Sequence, residues 1–212
     1  MCGPMGDSKE TASRYIFEQL GHEGIETRHI VQMPGLVTPI SGIMIDPTGE
    51  RTIVTFRDPA LWKVQLPSAD ALLDDCAAIL VESRCAEFST DLCAEARRRG
   101  IPVVVDVDRA MSLSEGLLTA SSHLVFSSEP LQETPAFPVH TVDTLGAGDV
   151  FHGAFTLAIT EGQPLQDALR FASAAAALKC TRYGGAFAAP QRIEVEALLG
   201  RERAASPEGL TG

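Results

Sequence analysis

The chain has 212 residues, of which 45% are hydrophobic and 21% are charged, a composition typical of a globular protein that buries a core. This composition excludes long disorder, collagen-like repeats and a small disulfide-stapled scaffold. The 17 Lys and Arg residues against 28 Asp and Glu residues leave a net charge of −11. We therefore expect no nucleic-acid partner, since nonspecific binding to nucleic acid needs a basic surface.

The first third of the chain predicts a helix followed by a β-hairpin. The helix is expected from Ser8 to Gly21, with Ser8 as N-cap and Gly21 as a left-handed residue at its end. Farther along, the β-forming segments Ser41–Ile45 and Arg51–Phe56 flank the turn signal Asp-Pro-Thr-Gly at positions 46–49. These two segments predict the strands of a hairpin.

Three short apolar runs in the middle of the chain predict strands that are buried on both faces of a parallel sheet. They lie at residues 78–81, 101–105 and 123–126. Between the first two runs, Ser89 to Gly100 predicts a helix whose last turn holds three arginines, which complement the negative end of the helix dipole. Strand, helix and strand at this spacing form a βαβ unit. The predicted fold class is therefore α/β, with a mostly parallel central sheet flanked by helices.

The last third of the chain predicts two helices and a tail. One helix opens near Gly146 and runs to Glu161, and a second helix follows Pro164. Residues 201–212 are mostly polar, so we expect a flexible tail there. Because the sequence shows neither repeats nor a linker, residues 1–200 are expected to form one domain.

The segment Val142–Phe155 carries the candidate chemistry. An extended piece ends at Val142, Gly146 and Gly148 follow, and an apolar-periodic helix begins at once. A glycine turn at a helix N-terminus exposes backbone N–H groups, which bind anions such as phosphate. Asp149 lies in the first helical turn, where the helix dipole favours its ionised form.

Two interpretations of Asp149 stay open on the spacing alone. In the first, its carboxylate accepts the proton of a hydroxyl that attacks a γ-phosphoryl group, while backbone amides stabilise the charge. In the second, Asp149 is a helix-start charge after a tight turn, because glycine-rich turns before helices are common. A dinucleotide-binding fingerprint is excluded because Phe151 stands at its third glycine position, and the chain has no Walker-A sequence.

The stretch Asp143–Phe155 closely resembles the C-terminal signature of the ribokinase-like (PfkB) carbohydrate kinases. The resemblance implies a kinase in which Asp149 is the catalytic base and the amides of Gly146, Ala147 and Gly148 form the anion hole. It also implies a sugar or sugar-like alcohol as substrate. The cofactors it implies are ATP, Mg²⁺ and a monovalent cation such as K⁺.

The same resemblance assigns four residues to the cofactor site. Asp143 and Thr144 precede the anion hole, and Arg182 and Gly184 lie in a later turn that resembles the one closing over nucleotide and cation. Asp143 is expected to act as a metal ligand as well. From the residues alone, Asp143 also fits an Asx turn before the glycines.

Structural roles are predicted for two further basic residues near the motif, His152 and Lys179. His152 follows Asp149 by three positions and shares its helix face, but a packed helix histidine is favoured over a ligand. Lys179 is interpreted as a helix-end cation. Arg182 is the better candidate for binding phosphate, because it lies in the Thr-Arg-x-Gly turn.

The resemblance extends to the N-terminal third of the chain. Gly3–Asp7 resembles the family's Gly-x-x-Gly-Asp segment, and the hairpin at about residues 36–57 resembles strands of a substrate lid. Because lid strands in this family often pair between subunits, a homodimer through these strands is expected.

The chain departs from the family pattern in three features. The family has a strand, a sugar-binding Asp and a Gly-Gly segment before the position of Met1, and a strand pair with a Thr-x-Gly motif between positions 129 and 143. Its Asn-x-x-Glu magnesium element is not intact here, and Glu129 is either a ligand of hydrated Mg²⁺ or a loop acid. These gaps raise an alternative function, a catalytically impaired kinase remnant that binds nucleotide or assembles with other chains.

The sequence also predicts where the protein resides. No apolar run approaches the roughly 20 residues that cross a bilayer, and the N-terminus lacks the features of a secretory signal. The cysteines are odd in number (5) and show no CxxC spacing, which disfavours a zinc site and a disulfide framework. We therefore expect a cytoplasmic protein with no membrane partner.

Overall fold

The structure, a computed structural model, describes residues 1–45, 51–112, 114–126 and 136–205. Seven strands and seven α-helices lie in these ranges, joined by short 3₁₀ turns that include Ser83–Cys85 and Gly185–Ala188. In chain order they are β1 (Cys2–Met5), α1 (Thr11–His22), β2 (His29–Gln32), β3 (Ile40–Ile45), β4 (Arg51–Phe56), α2 (Ala69–Leu73), β5 (Ile79–Glu82), α3 (Ala86–Arg98), β6 (Val103–Val107), α4 (Gly116–Ala120), β7 (His123–Phe126), α5 (Ala147–Thr160), α6 (Leu165–Cys180) and α7 (Arg192–Ala205).

The chain divides into two units. The first consists of Met1–Asp75 and Cys85–Leu92, and the second of Cys76–Arg84 and Cys93–Gly212. The expectation of one domain over residues 1–200 stays a prediction.

The first unit begins with a strand that the sequence did not predict. β1 pairs in parallel with β2, and Cys2 lies opposite His29. The segment contains glycine and proline, which are depleted in strands, and its partner is distant in sequence. Local propensity therefore gave no signal for β1.

Helix α1 confirms the predicted helix but not its ends. It begins at Thr11 with Glu10 as N-cap, because the N–H groups of Lys9 and Glu10 are held by the side chain and the carbonyl of Asp7. Ser8 is therefore not the cap. Gly21 lies inside the helix, and the left-handed glycine is Gly24, with φ +68°.

The predicted hairpin is confirmed. β3 and β4 pair antiparallel with Ile40 opposite Phe56 and Ile45 opposite Arg51, while the predicted turn at 46–49 lies outside the described residues. Large apolar side chains project from both faces of this ribbon and are 40% to 63% exposed. They belong to Ile40, Ile43, Met44, Ile53, Val54 and Phe56.

The second unit contains the predicted parallel sheet. Its strand order is β5-β6-β7, and both pairings are parallel. The central strand β6 is buried along most of its length. The prediction of burial on both faces is wrong for β5 and β7, because these outer strands of the described sheet leave Leu80, Leu124 and Phe126 at least 40% exposed.

Helices α5 and α6 confirm the two helices predicted in the last third, and they pack closely on each other. Small buried side chains such as Ala158, Ala168 and Ala172 allow this approach, and Phe155 and Phe171 fill the core beside them.

Within the described ranges, no helix is long and apolar enough to cross a membrane.

The sequence did not predict α7. This helix runs to Ala205, so the tail expected from position 201 is helical over its first residues. The buried Val195 of α7 joins the core formed by α5 and α6, and this tertiary contact explains a helix that periodicity did not reveal. Residues 206–212 lie outside the described part of the chain.

Candidate active site

A tight turn leads into α5. The backbone N–H groups of Val142 and Asp143 donate to the Cys180 carbonyl at 2.8 and 3.1 Å. The Leu145 N–H donates to Oδ1 of Asp143 at 2.8 Å, which closes the Asx turn that the sequence allowed. Gly146 follows with φ +77° and is the N-cap of α5.

Gly146 is required both by its backbone conformation and by a close contact. Side chains other than glycine rarely adopt a φ of +77°. A Cβ at this position would stand 2.5 Å from the backbone nitrogen of Ala186 and 2.9 Å from the carbonyl carbon of Gly185. The turn before α5 therefore packs backbone to backbone against the turn at 184–186, which brings the two predicted cofactor turns together.

The first turn of α5 presents backbone donors to an incoming anion. The Ala147 N–H already donates to the Thr144 carbonyl at 3.2 Å. Within the described part of the chain, the N–H groups of Gly146, Gly148 and Asp149 have no acceptor. The Ala147 N–H is thus engaged within the turn, and the N–H of Asp149 is a further available donor. The anion hole of Gly146, Ala147 and Gly148 stays a prediction.

The Asp149 carboxylate lies beside these amides and is exposed. A Cβ at Gly148 would meet only Cε1 of His152, at 3.9 Å, so the space at this end of the helix is open. Free N–H donors and a carboxylate acceptor thus occupy one helix end, as phosphoryl transfer to a hydroxyl requires.

A cavity of about 350 Å³ begins at Asp149. Its wall is formed by α5, α6, the turn at Gly185–Ala188 and the start of α7. Apart from Asp149 and Arg192 its lining is apolar, with Val150, Leu157, Phe171, Ala186 and Pro190 among the contributors. This volume is in the range of about 300–1,000 Å³ that is typical of small-molecule sites.

Asp143 contacts a lysine that is completely buried. Nζ of Lys179 donates to the backbone oxygen of Asp143 at 2.8 Å and lies 3.1 Å from its Oδ2. The Lys179 side chain is 0% exposed, although lysine is almost never fully buried unless it is paired. The interpretation of Lys179 as a helix-end cation is therefore incomplete, because it missed a partner 36 residues away in sequence.

The Asp143 carboxylate is held in its ionised form. The hydrogen bond from the Leu145 N–H is the main cause that lowers the pKa of Asp143 below its ordinary value of 3.8, and partial burial opposes it. Lys179 and the Gly185 N–H lower this pKa further. One carboxylate thus connects the end of α6, the turn before α5 and the turn at 184–186.

The Arg182 guanidinium, which is predicted to bind the cofactor, has a partner in α7. It forms an ion pair with Glu194 of α7, whose carboxylate also accepts the Gln191 N–H at 2.7 Å. The hydrogen bond with Glu194 raises the pKa of Arg182, and the same bond is the main cause that lowers the pKa of Glu194. The guanidinium thus contacts α7, and its role in binding the cofactor stays a prediction.

The two remaining cofactor candidates lie in the turns themselves. Thr144 is exposed, and its carbonyl accepts the Ala147 N–H. Gly184 has φ +124° and precedes the 3₁₀ turn that contacts Gly146. Both residues shape the backbone around the open end of α5.

His152 has a specific partner that the sequence did not reveal. Its Nδ1 lies 3.3 Å from Oδ2 of Asp106, and the two side chains are only 12% and 22% exposed. Asp106 lies near the carboxyl end of β6, where parallel sheets place ligands. The sequence did give one signal, since His152 is a polar residue on the side of α5 that faces the sheet. Its partner Asp106 could not be identified until the packing of α5 on the sheet was known.

Polar groups also close the carboxyl ends of β5 and β6. Ser83 Oγ donates to Oδ1 of Asp108 at 2.7 Å, and Arg84 pairs with Oδ2 of the same residue.

Across the described ranges, no group of three or more His, Cys, Asp or Glu side chains is arranged to hold a metal ion. The predicted metal ligand Glu129 lies outside the described residues.

In the first unit, the Gly6-Asp7 segment forms its own hydrogen-bonded cluster. The Gly6 N–H donates to Oγ1 of the buried Thr38 at 3.2 Å. The Asp7 carboxylate accepts the N–H groups of Lys9 and Gly35 at 2.9 and 2.8 Å. The bond from Lys9 is the main cause that lowers the pKa of Asp7.

Comparisons with known proteins show the family of this chain. The model of the pfkB family of carbohydrate kinases matches residues 110–192, a range that includes both turns, α5 and α6. The crystal structure of a ribokinase candidate from Agrobacterium tumefaciens has a TM-score of 0.84 and 30% sequence identity, over 94% of this chain and 80% of that chain. The chain belongs to the pfkB family of carbohydrate kinases.

Other members of the pfkB family show how far the likeness extends. The ribokinase of Bacillus subtilis is 51% identical over 65 residues, which are 31% of this chain and 22% of that protein. The Arabidopsis thaliana ribokinase, solved with ribose and ATP, has a TM-score of 0.73 at 20% identity, over 93% of this chain and 80% of that chain. The predicted ribokinase-like α/β fold is confirmed.

Proposed function

We propose that this pfkB family member transfers the γ-phosphoryl group of ATP to a hydroxyl of a sugar or sugar-like alcohol. The observation that carries this proposal is the exposed Asp149 carboxylate beside the free N–H groups of Gly146 and Gly148. The match of the family model to this same segment supports it.

In the proposed reaction, the acceptor oxygen attacks the γ-phosphorus while its proton passes to the Asp149 carboxylate. The bond from that phosphorus to the bridging oxygen breaks, and ADP leaves with the electron pair. The transition state is loose and carries charge on the phosphoryl oxygens, so positioned donors contribute most. The N–H groups of Gly146, Gly148 and Asp149 supply these donors, and the dipole of α5 adds to them.

We assign the base of the nucleotide to the cavity beside Asp149. The apolar wall that Val150, Phe171 and Pro190 form suits a planar base, and Asp149 lines the same cavity. Asp143, Thr144 and Gly184 then act by fixing the two turns. Arg182 contributes through its link to α7 and not as a direct phosphate ligand.

We propose Mg²⁺ as the ion that accompanies the nucleotide phosphates. Mg²⁺ commonly takes one or two protein carboxylates and completes its shell with phosphates and waters. A dedicated cluster of protein ligands is therefore not required. Glu129 remains a proposed ligand of this ion.

The hairpin is the proposed contact between two copies of the chain. Its exposed apolar side chains on both faces, together with the open edges of a two-stranded ribbon, favour association.

We place the protein in the cytoplasm, since an odd number of cysteines without CxxC spacing fits a reducing compartment.

A kinase remnant is the second candidate, and the exposed hairpin is the observation that favours it. A chain that only assembles with others needs this surface but needs no acceptor site. The two candidates differ in turnover, since only the kinase forms ADP in proportion to an added acceptor.

The deciding experiment combines calorimetric titration of MgATP with an assay for ADP, using pentoses, hexoses, sugar acids and nucleosides as acceptors. We expect MgATP binding and ADP formation that depends on one class of acceptor. Binding without acceptor-dependent turnover would favour the remnant. Absence of nucleotide binding would contradict the kinase and leave only a remnant that assembles with other chains.

A further inference from the structure

We propose that the ammonium group of Lys179 is a built-in cation of the anion-hole turn, standing where the resemblance places a monovalent cation such as K⁺. The role of the turn in binding phosphate rests on the proposed function. The structural part of the inference, a cation tethered to Asp143, does not.

The contacts of Lys179 are those of a bound cation. Its Nζ lies 2.8 Å from the backbone oxygen of Asp143 and 3.1 Å from Oδ2 of the same residue. Carbonyl and carboxylate oxygens are also the ligands that K⁺ and other hard cations take in proteins. Because the ammonium already occupies these two oxygens, the residues present do not fit a separate ion coordinated by them.

Burial explains why this cation would not be exchanged for one from solution. The Lys179 side chain is 0% exposed, and it is among the largest fully buried side chains of the described chain. A buried charge is tolerated only with a close partner of opposite sign. Since the ammonium is covalently attached to α6, its local concentration does not depend on the salt in the medium.

The carboxylate that Lys179 contacts holds the site together. Asp143 accepts the Leu145 N–H within the turn before α5, and it also interacts with the Gly185 N–H of the second turn. A positive charge at this point cancels a carboxylate that would otherwise repel the phosphates bound nearby. Lys179 therefore acts as a positioning residue, through Asp143, and does not itself reach the reacting atoms.

The first test uses the unaltered protein. MgATP affinity and the melting temperature are measured in KCl and in tetramethylammonium chloride at equal ionic strength, since the organic cation is too large for such a site. We expect affinities that agree within about twofold and equal melting temperatures, because a tethered ammonium leaves no role for K⁺. An affinity about fivefold or more higher in KCl would overturn the proposal.

The second test uses Lys179→Ala, which leaves space for an ion, with Lys63→Ala at an exposed position as the matched control. We expect Lys179→Ala to melt at a lower temperature and to bind MgATP about tenfold more weakly in tetramethylammonium chloride. KCl or NH₄Cl should restore part of both losses, and Lys63→Ala should match the unaltered protein in every salt.

Two results separate failure of this proposal from failure of the proposed function. If Lys179→Ala melts and binds MgATP like the unaltered protein in every salt, the built-in cation is contradicted. If no variant binds MgATP but the melting temperature of Lys179→Ala still rises in KCl, the proposed function fails and the tethered cation stands. If Lys179→Ala does not fold, the comparison of salts on the unaltered protein decides.

Discussion

Gly146 and Ala186 approach each other so closely that a Cβ on Gly146 would stand 2.5 Å from the backbone nitrogen of Ala186. This contact joins the turn before α5 to the turn after α6. The open amides at the start of α5 therefore depend on a contact between two backbones that leaves no space for a methyl group.

We predict that Gly146→Ala destabilises the protein and weakens MgATP binding. The left-handed φ and the overlap with Ala186 together cost about 3 kcal/mol of unfolding free energy. Urea unfolding followed by circular dichroism measures this loss, and calorimetric titration measures the binding.

Gly162→Ala is the matched control for this prediction. Gly162 also has a positive φ, +73°, but a Cβ there would meet nothing within 4 Å. Gly162→Ala should therefore lower the unfolding free energy only by the strain of a left-handed alanine, about 1–2 kcal/mol. MgATP binding should not change. Equal losses in the two variants would show that the contact with Ala186 does not matter.

The pair of Arg182 and Glu194 gives a prediction on pH. Glu194→Gln should reduce the unfolding free energy at pH 7 only slightly, because solvent screens an ion pair whose side chains are both partly exposed. The folded pKa of Glu194 is lowered from the ordinary 4.5, so its contribution is complete above that pH. It is lost as the pH falls through the folded pKa.

The measurement is the difference in unfolding free energy between the unaltered protein and Glu194→Gln at several pH values. The difference should shrink below pH 4.5 and stay constant above it. Arg182→Ala should reduce the unfolding free energy by more than it reduces the binding free energy of MgATP. A selective loss of MgATP affinity in Arg182→Ala would restore Arg182 as a direct phosphate ligand.

The exposed ribbon of β3 and β4 gives a prediction on assembly. Val54 is 63% exposed on this ribbon, and a charge there should prevent two ribbons from packing together. We expect the unaltered chain to sediment as a dimer and Val54→Glu to sediment as a monomer in analytical ultracentrifugation.

Ile193→Glu is the control for assembly, because Ile193 is 74% exposed on α7, which is not part of the hairpin. It should leave the dimer intact. A monomeric unaltered protein, or a dimer that survives Val54→Glu, would exclude the hairpin as the contact.

Features set by neighbours in sequence were predictable. The hairpin, the parallel strands and helices α5 and α6 follow from periodicity and turn residues. The glycine turn with Asp149 in the first helical turn is likewise a local pattern, so its residues could be identified without knowledge of the packing.

Features set by distant contacts were not predictable. The sequence predicts Lys179 as a helix-end cation, and only the fold shows its contact with Asp143. The sequence predicts Arg182 as a phosphate ligand, and only the fold shows its ion pair with Glu194 of α7. Helix α7 is itself stabilised by the tertiary packing of Val195. In each case the deciding partner lies in another element of the fold.

Asp149→Asn tests the central claim most directly, with Asp167→Asn as control, because Asp167 occupies the equivalent first turn of α6. Single-turnover phosphoryl transfer and MgATP binding are measured for both variants. We expect Asp149→Asn to lose about 10²–10⁴-fold in the rate of transfer while MgATP affinity is retained, and Asp167→Asn to match the unaltered protein. An unchanged rate of transfer in Asp149→Asn would contradict the assignment of Asp149 as the base.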